Sequence, residues 1–198
     1  MNVDGKFCGD AEASGSPERQ STRMTPDDAP RLHQLSDPAA TKALGRELAW
    51  ELLALRASAS PAASVLLLSG DLGAGKTCLV QGLAEGLGIS EPITSPTFAL
   101  AQHYEGQLAD GTATALVHLD LYRLEHPASA DELLLQEEEE AQALGAILAV
   151  EWPGRLSAVP EDAWQVELEL ACPSDPELGR QVRIRPPQRA PNAPATPR

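Results

Sequence analysis

The sequence predicts an α/β fold with a mainly parallel sheet between two layers of helices. Three short, mainly apolar runs support this prediction, because they alternate with segments of helical periodicity and are typical of strands buried on both faces. The runs are 65–68, 115–119 and 147–150. Two later segments, 164–170 and 181–185, alternate apolar and polar residues, which predicts exposed antiparallel strands near the C-terminus.

The first predicted element is a helix that begins at 36–38, where a serine and an aspartate that can cap a helix precede a proline in its first turn. Leucines follow at helical spacing, and a loop of small residues over 58–63 ends this part of the chain. After the strand 65–68, the remaining elements are a helix over 75–87, a loop over 90–96, a strand over 98–104, a turn over 105–112, the strand 115–119, a helix over 129–144 and the strand 147–150.

The predicted domain covers residues 36–186, between two segments with few residues that could pack in a core. Residues 1–35 are rich in Ser, Pro, Asp and Glu, which predicts a disordered extension. Residues 187–198 contain four prolines and no apolar residue larger than alanine, which predicts a disordered proline-rich tail. The chain between them is long enough to bury the core of one domain.

The chain has 198 residues and a formal net charge of −14. This acidity argues against a protein whose main task is to hold nucleic acid through its phosphates, although it allows work on RNA through a basic partner. No apolar run approaches the length of a membrane span, and the N-terminus lacks the apolar stretch of a signal peptide. The three cysteines are far apart, which fits neither a disulfide framework nor a zinc site and favours the cytoplasm.

The segment 70–77, GDLGAGKT, fits the pattern G-x-x-x-x-G-K-T of a phosphate-binding P-loop. Its glycines let successive backbone N–H groups point at phosphate oxygens, and the start of the following helix adds partial positive charge. Lys76 can neutralise the β- and γ-phosphates, and the Thr77 hydroxyl is placed to bind Mg²⁺. Because the segment joins a buried strand to a helix, it predicts a nucleotide site in a P-loop NTPase fold.

Two acidic residues, Asp120 and Glu151, follow two of the predicted buried strands. The carboxyl ends of neighbouring parallel strands are where an α/β sheet binds its ligands. Either residue could hold Mg²⁺, directly or through water, and the other could orient the attacking water.

Five further features each have a chemical and a plainer interpretation. The hydroxyls of segment 95–97 could sense a γ-phosphate, as switch segments do, or belong to an ordinary turn. His118 is interpreted as a core histidine rather than a ligand, and Cys78 as a packed residue rather than a thiol activated by a helix N-terminus. Arg123 could stabilise charge at the site or form an ion pair. The glutamate run 137–140 could be a solvated helix face or a docking surface for a basic partner.

Beyond the P-loop, three motifs follow in order: SPTF at 95–98, HLDLYRL at 118–124 and EWP at 151–153. Together with GDLGAGKT and with LSDPAATKALG at 35–45, they resemble the TsaE (YjeE) family. The resemblance implies a bacterial, Mg²⁺-dependent ATPase that is needed to make N6-threonylcarbamoyladenosine at position 37 of tRNAs that read ANN codons. It also implies that the ATPase binds a TsaD–TsaB heterodimer and supports its repeated turnover. Such a subunit hydrolyses ATP weakly alone and meets tRNA only through its partners.

The resemblance also implies roles for individual residues. Lys76, Asp120 and Glu151 would form the catalytic group, with Lys76 on the phosphates and Asp120 as the acid that polarises water. Thr77 and Glu151 would bind Mg²⁺, and Thr97 would belong to a switch-like segment. The other residues implied in nucleotide binding are Leu72, Gly73, Ala74 and Gly75 in the loop, Asp37 near the base, and Trp152 beside the nucleotide or the partner surface.

Two rival functions stay open from the sequence alone. A small-molecule kinase on the same fold needs several arginines over the phosphates, and only Arg123 and Arg155 provide basic side chains between Lys76 and Arg180. A scaffold that senses nucleotide with little hydrolysis is the second rival, and the two acids at predicted strand ends argue against it.

Overall fold

The computed structural model describes residues 29–57 and 65–187. The predicted loop 58–63, most of the predicted N-terminal extension and nearly all of the predicted tail lie outside these residues. The described strands and α-helices are β1 (Arg31–Leu35), α1 (Pro38–Ala57), β2 (Val65–Ser69), α2 (Lys76–Gly86), β3 (Ala101–Gln107), β4 (Ala113–Asp120), α3 (Pro127–Leu144), β5 (Ile147–Glu151), β6 (Trp164–Leu170) and β7 (Arg180–Arg185).

The described strands form one sheet in the order β1-β7-β6-β2-β5-β4-β3. The four central strands, β6, β2, β5 and β4, are parallel to one another. Toward the edges, β7 pairs antiparallel with β6 and β1, and β3 pairs antiparallel with β4. The predicted α/β fold with a mainly parallel sheet is confirmed, and its parallel strands present their carboxyl ends along one side.

Helices cover both faces of the sheet, which gives the three layers that the sequence predicts. On one face, the buried cluster includes Leu48 of α1, Leu83 of α2 and Leu66 of β2. On the other face, it includes Leu134 of α3 and Leu67 of β2. Side chains of β2 therefore enter both clusters, as its continuous apolar run predicts. None of the helices in the described residues is both long and apolar enough to cross a membrane.

The start of α1 and its contact with α2 hold the helix that follows the P-loop. Asp37 caps α1, because its Oδ1 accepts a hydrogen bond from Ala40 N at 2.8 Å and its carbonyl accepts one from Thr41 N. The two helices lie very close together, since a Cβ on Gly82 would stand 2.1 Å from Lys42 O. A side chain larger than hydrogen at this position would push α2 away from α1.

The folded part begins earlier than the sequence predicts. Residues 31–35, the last part of the predicted disordered extension, form β1 and pair with β7, with Leu35 opposite Arg180. Leu35 is buried, and the Arg31 guanidinium lies 5.3 Å from the centre of the Trp164 ring. A short edge strand that buries a single leucine leaves little trace in composition, which explains the misplaced boundary.

Two strands also differ from their predicted form. β3 begins at Ala101 rather than at Phe98, because Leu100 has a left-handed φ of 68° that redirects the chain first. Phe98 lies in the preceding turn and is 89% exposed. β6 pairs antiparallel with β7 as predicted, but the prediction that β6 is exposed is wrong, because its other neighbour is the parallel strand β2 and its Trp164 and Leu168 are buried. An alternating pattern indicates one buried face and does not show where a strand lies in the sheet.

The glutamate run 137–140 is a solvated face only in part. Glu137 is buried on α3, and its Oε2 lies 2.6 Å from His103 Nε2 on β3. Glu138 is half-buried, and burial raises the pKa of its carboxyl. The last two residues of the run are exposed. Glu137 therefore links α3 to the sheet, whereas Glu139 and Glu140 face the solvent.

Candidate nucleotide-binding site

A cleft of about 310 Å³ opens where the central parallel strands end. β2 leads into the P-loop and α2, while Asp120 ends β4 and Glu151 ends β5. These two acids are direct partners in the register of the two strands. The cleft is lined by Leu72, Gly73, Gly75, Lys76, Thr77, Cys78, Ser95, Thr97, Asp120, Tyr122, Glu151 and Trp152.

The P-loop has backbone conformations that its glycines make accessible. Gly70, Gly73 and Gly75 have φ values of 139°, 82° and 105°. A Cβ on Gly70 would also lie 2.2 Å from Leu168 O, so no other residue fits there without a shift of the backbone. Gly75 is the N-cap of α2, so the partly positive end of that helix lies at the cleft. This backbone is suited to an anion.

Lys76 places a buried ammonium group at the bottom of the loop. Its Nζ donates hydrogen bonds to Gly70 O at 2.7 Å and to Asp71 O at 3.0 Å, and it lies 3.8 Å from the centre of the Trp152 ring. Burial lowers the pKa of Lys76, while nearby carboxylates, of which Glu151 acts most strongly, oppose that shift. Two carbonyl oxygens and a ring face are weak partners for a dry cation, and phosphate oxygens would be stronger ones.

Glu151 is held by donors from two different elements. Its Oε1 accepts a hydrogen bond from Thr77 Oγ1 at 2.8 Å and lies 3.0 Å from His118 Nε2. His118 is fully buried, which agrees with its interpretation as a core histidine, and it also contacts a carboxylate of the cleft. The contact between Thr77 and Glu151 brings together the two residues to which the resemblance assigns Mg²⁺.

Asp120 is held by the loop that the sequence marks as switch-like. Its Oδ2 accepts hydrogen bonds from Thr97 Oγ1 at 2.5 Å and from Ser95 Oγ at 3.1 Å. Its Oδ1 accepts one from Tyr122 N at 2.9 Å. The segment 95–97 therefore covers the carboxylate that follows β4.

Trp152 and Tyr122 form an aromatic wall beside the cleft. Their ring centres lie 4.8 Å apart. Trp152 has a left-handed φ of 63°. Its backbone N–H donates a hydrogen bond to Leu68 O at 3.1 Å, which ties the end of β5 to β2. The wall is thus fixed by the sheet rather than by a surface loop.

The oxygen atoms of the cleft suit a hard cation. Mg²⁺ prefers carboxylate and hydroxyl oxygens together with phosphates, and Thr77 and Glu151 supply one of each beside the P-loop. The residues present therefore fit a site for Mg²⁺ and a nucleotide.

The sequence profile of the family described as "Threonylcarbamoyl adenosine biosynthesis protein TsaE" matches residues 35–180. The chain belongs to the TsaE family. Among the curated relatives, proteins called "tRNA threonylcarbamoyladenosine biosynthesis protein TsaE" from Nostoc sp. and Synechocystis sp. are 46% and 44% identical over 127 and 129 residues. These matches cover 63% and 64% of this chain and 72% of each relative. The protein with the same name from Bacillus subtilis is 34% identical over 143 residues, or 72% of this chain and 79% of the relative.

In this TsaE-family chain, Arg180 is a site residue that sequence reasoning missed. Its Nε donates to Ala74 O at 3.0 Å, and a Cβ on Gly75 would lie 3.0 Å from the same nitrogen. Arg180 begins β7 and lies far from the P-loop in the sequence. The only local signal is the preceding Gly179, whose φ of 91° marks a turn, and a turn does not indicate what the next side chain contacts.

Two predicted nucleotide-binding residues do not line the cleft. Ala74 is fully buried beneath the loop, where its N–H donates to Asp71 O. Asp37 is exposed and caps α1, and its role toward the base stays a prediction. The start of α1 does lie near the cleft, since Pro38 O accepts a hydrogen bond from Cys78 Sγ at 3.5 Å.

The structure shows the surroundings of Cys78 and Arg123, for which the sequence left two interpretations each. Burial raises the pKa of the Cys78 thiol, which agrees with the packing interpretation. The ion-pair interpretation of Arg123 is wrong, because its guanidinium lies 4.9 Å from the centre of the exposed Phe98 ring and no carboxylate in the described residues pairs with it, while its role as a charge stabiliser stays a prediction. Arg155 likewise lies over a ring, that of Tyr122, at 5.8 Å.

Proposed function

We propose that this chain is an Mg²⁺-dependent ATPase that supports formation of N6-threonylcarbamoyladenosine at position 37 of tRNAs that read ANN codons. Its relatives carry the name of this biosynthesis, and its family does as well. In this proposal the chain acts in the cytoplasm with a TsaD–TsaB heterodimer, hydrolyses ATP weakly alone and is stimulated by those partners.

One observation carries the ATPase part of the proposal. The Thr77 hydroxyl at the start of α2 donates to Glu151 at the end of β5, and Asp120 stands beside Glu151 in the strand register. A P-loop that bound nucleotide without hydrolysis would need the loop and Lys76, but not two carboxylates at this point.

Each residue has a task that its present contacts make plausible. Lys76 would exchange the carbonyls of Gly70 and Asp71 for phosphate oxygens, which are stronger acceptors. Thr77 and Glu151 would hold Mg²⁺. When bound, the ion would neutralise charge that develops on the phosphates.

Asp120 would orient and polarise the attacking water. At present its Oδ2 accepts from Ser95 and Thr97, so a water that used this oxygen would displace one of the two hydroxyls. A nucleotide that drew Thr97 toward its γ-phosphate would free Asp120 in the same movement. The hydrogen bond between Thr97 and Asp120 supports a switch-like role for Thr97.

The acidity of the chain supports an indirect relation to tRNA. A net charge of −14 repels phosphate backbones, so the partners would hold the tRNA while this chain supplies ATP hydrolysis. Exposed glutamates on α3 would suit a basic partner surface, because opposite charges speed association.

A reconstituted modification assay tests this function. Purified TsaD–TsaB from the same organism is given threonylcarbamoyl-adenylate, tRNA and ATP, and modified adenosine is counted per heterodimer. We expect several turnovers with this chain and about one without it, and we expect Lys76→Ala to behave like its omission. Equal numbers of turnovers with and without the chain would contradict the proposal.

A further inference from the structure

We infer that His118 is a positioning residue that holds the Glu151 carboxylate ready for Mg²⁺. The inference rests on the proposed function, because it assigns a task within the same site. It goes beyond the residues that line the cleft, since His118 lies behind Glu151 and is not one of them.

The geometry shows two donors on a single carboxylate oxygen. Glu151 Oε1 accepts from Thr77 at 2.8 Å and is 3.0 Å from His118 Nε2. No described residue forms a hydrogen bond with Glu151 Oε2, which leaves this oxygen for a ligand in the cleft. The carboxylate is therefore fixed on one side and unoccupied on the other.

The surroundings of His118 determine which nitrogen carries the proton. An ionised carboxylate only accepts hydrogen bonds, so Nε2 must be the donor toward Glu151. The other nitrogen, Nδ1, is buried and has no partner in the described part of the chain. The neutral Nε2–H form therefore donates to Glu151 and leaves Nδ1 as an unpartnered acceptor rather than as an unpartnered buried N–H. The proposed role needs only this neutral form.

His118 matters because it is the partner of Glu151 that does not also bind the ion. Thr77 is itself a proposed ligand of Mg²⁺, so its hydroxyl would serve the metal as well as Glu151. His118 lies on β4 with its ring fully enclosed, and β4 pairs directly with β5. A partner of this kind fixes the orientation of a ligand without touching the metal, and losing such a partner weakens metal affinity about 10- to 100-fold.

The test compares His118→Leu and His118→Gln in the full chain. A fluorescent, non-hydrolysable ATP analogue is titrated by polarisation, first in EDTA and then with increasing Mg²⁺. In EDTA, the affinity of His118→Leu for the ATP analogue should stay within about twofold of that of the unsubstituted chain. The Mg²⁺ concentration that gives half of the maximal increase in this affinity should rise about 10-fold or more. His118→Gln should recover most of this loss, because its amide nitrogen can reach the position of Nε2.

His33 supplies the matched control. It lies on β1, and its Nε2 is also buried without a partner among the described residues, but it is remote from β4 and β5 in the sheet. His33→Leu should leave the Mg²⁺ titration unchanged, and thermal unfolding of all three variants confirms that they fold. The inference would be overturned if His118→Leu showed the same Mg²⁺ titration as the unsubstituted chain. It would also be overturned if His118→Gln needed as much additional Mg²⁺ as His118→Leu. Absence of any Mg²⁺ effect in the unsubstituted chain would instead contradict the proposed function.

Discussion

The ends of β4 and β5 are direct neighbours, yet their carboxylates are held in opposite ways. Glu151 accepts from α2 and from a fully buried histidine on β4. Asp120 accepts mainly from the hydroxyls of a surface loop, in which Thr97 is half-buried and Phe98 is 89% exposed. One carboxylate is held by a buried histidine and the start of a helix, and the other by two hydroxyls of a loop whose Ser95 is exposed.

This difference suggests a division of labour at the site. A metal ligand benefits from a fixed orientation, because small misplacements reduce affinity. A group that orients water benefits from being released only when nucleotide is present, because early activation would waste ATP. We therefore assign Mg²⁺ to Glu151 and water to Asp120, and the variants below test that assignment.

The largest expected effect is on turnover in Asp120→Asn. This change keeps the size of the side chain and removes its charge, so ATP hydrolysis should fall about 100-fold or more while affinity for Mg²⁺ and nucleotide changes less than about threefold. Steady-state hydrolysis and equilibrium binding measure the two quantities, with the exposed Asp110→Asn as control. Weakened binding with unchanged turnover would reverse the two roles.

Glu151→Gln should affect the metal before it affects the nucleotide. Affinity in EDTA should stay close to that of the unsubstituted chain, whereas half-saturation by Mg²⁺ should require an about 10- to 100-fold higher concentration. Glu139→Gln, on the exposed part of α3, is the control. If both variants respond to Mg²⁺ alike, Glu151 does not bind the ion.

A smaller effect is expected in the loop that holds Asp120. Thr97→Val removes one hydroxyl and keeps the shape, so turnover should change by about fivefold, since one hydrogen bond contributes about 1 kcal/mol. The exposed Thr112→Val in the β3–β4 turn should have no effect. A change in Mg²⁺ half-saturation in Thr97→Val would show that the loop acts on Glu151 instead.

The smallest effect concerns stability away from the cleft. Burial raises the pKa of Glu138, so its charged form destabilises the fold above that pKa, and the cost disappears as the pH falls and the carboxyl is protonated. Glu138→Gln should raise Tm at neutral pH by less than about 4 °C, the shift that about 1 kcal/mol produces in a domain of this size. The gain should vanish in acid, and a gain that persists there would exclude the carboxyl as its cause.

Sequence reasoning placed the elements and the acids of the site because local patterns encode them. The apolar run of β2, the P-loop glycines and the acids that end β4 and β5 each leave a signal within a few residues. The parallel-sheet rule then brings Asp120 and Glu151 together, and their register agrees with it.

What the sequence could not predict depends on contacts between distant segments. Arg180 contacts the P-loop only because β7 lies beside β6, and β6 lies beside β2, the strand that leads into the P-loop. His118 faces Glu151 because β4 and β5 pair in one particular register. β1 is stabilised by its pairing with β7, a contact between the two ends of the domain. Its own composition resembles that of a disordered segment, so the sequence alone does not reveal the strand.

The central claim is that this cleft binds and hydrolyses ATP, and Lys76 tests it most directly. Isothermal titration with MgATP, followed by measurement of phosphate release, compares the unsubstituted chain with Lys76→Ala and with a control, Lys42→Ala. The ammonium group of Lys42 is partly exposed and forms an ion pair with Glu85. We predict that the unsubstituted chain and Lys42→Ala bind and hydrolyse MgATP, and that Lys76→Ala loses hydrolysis and most of the binding. Equal binding and phosphate release in Lys76→Ala would contradict the account.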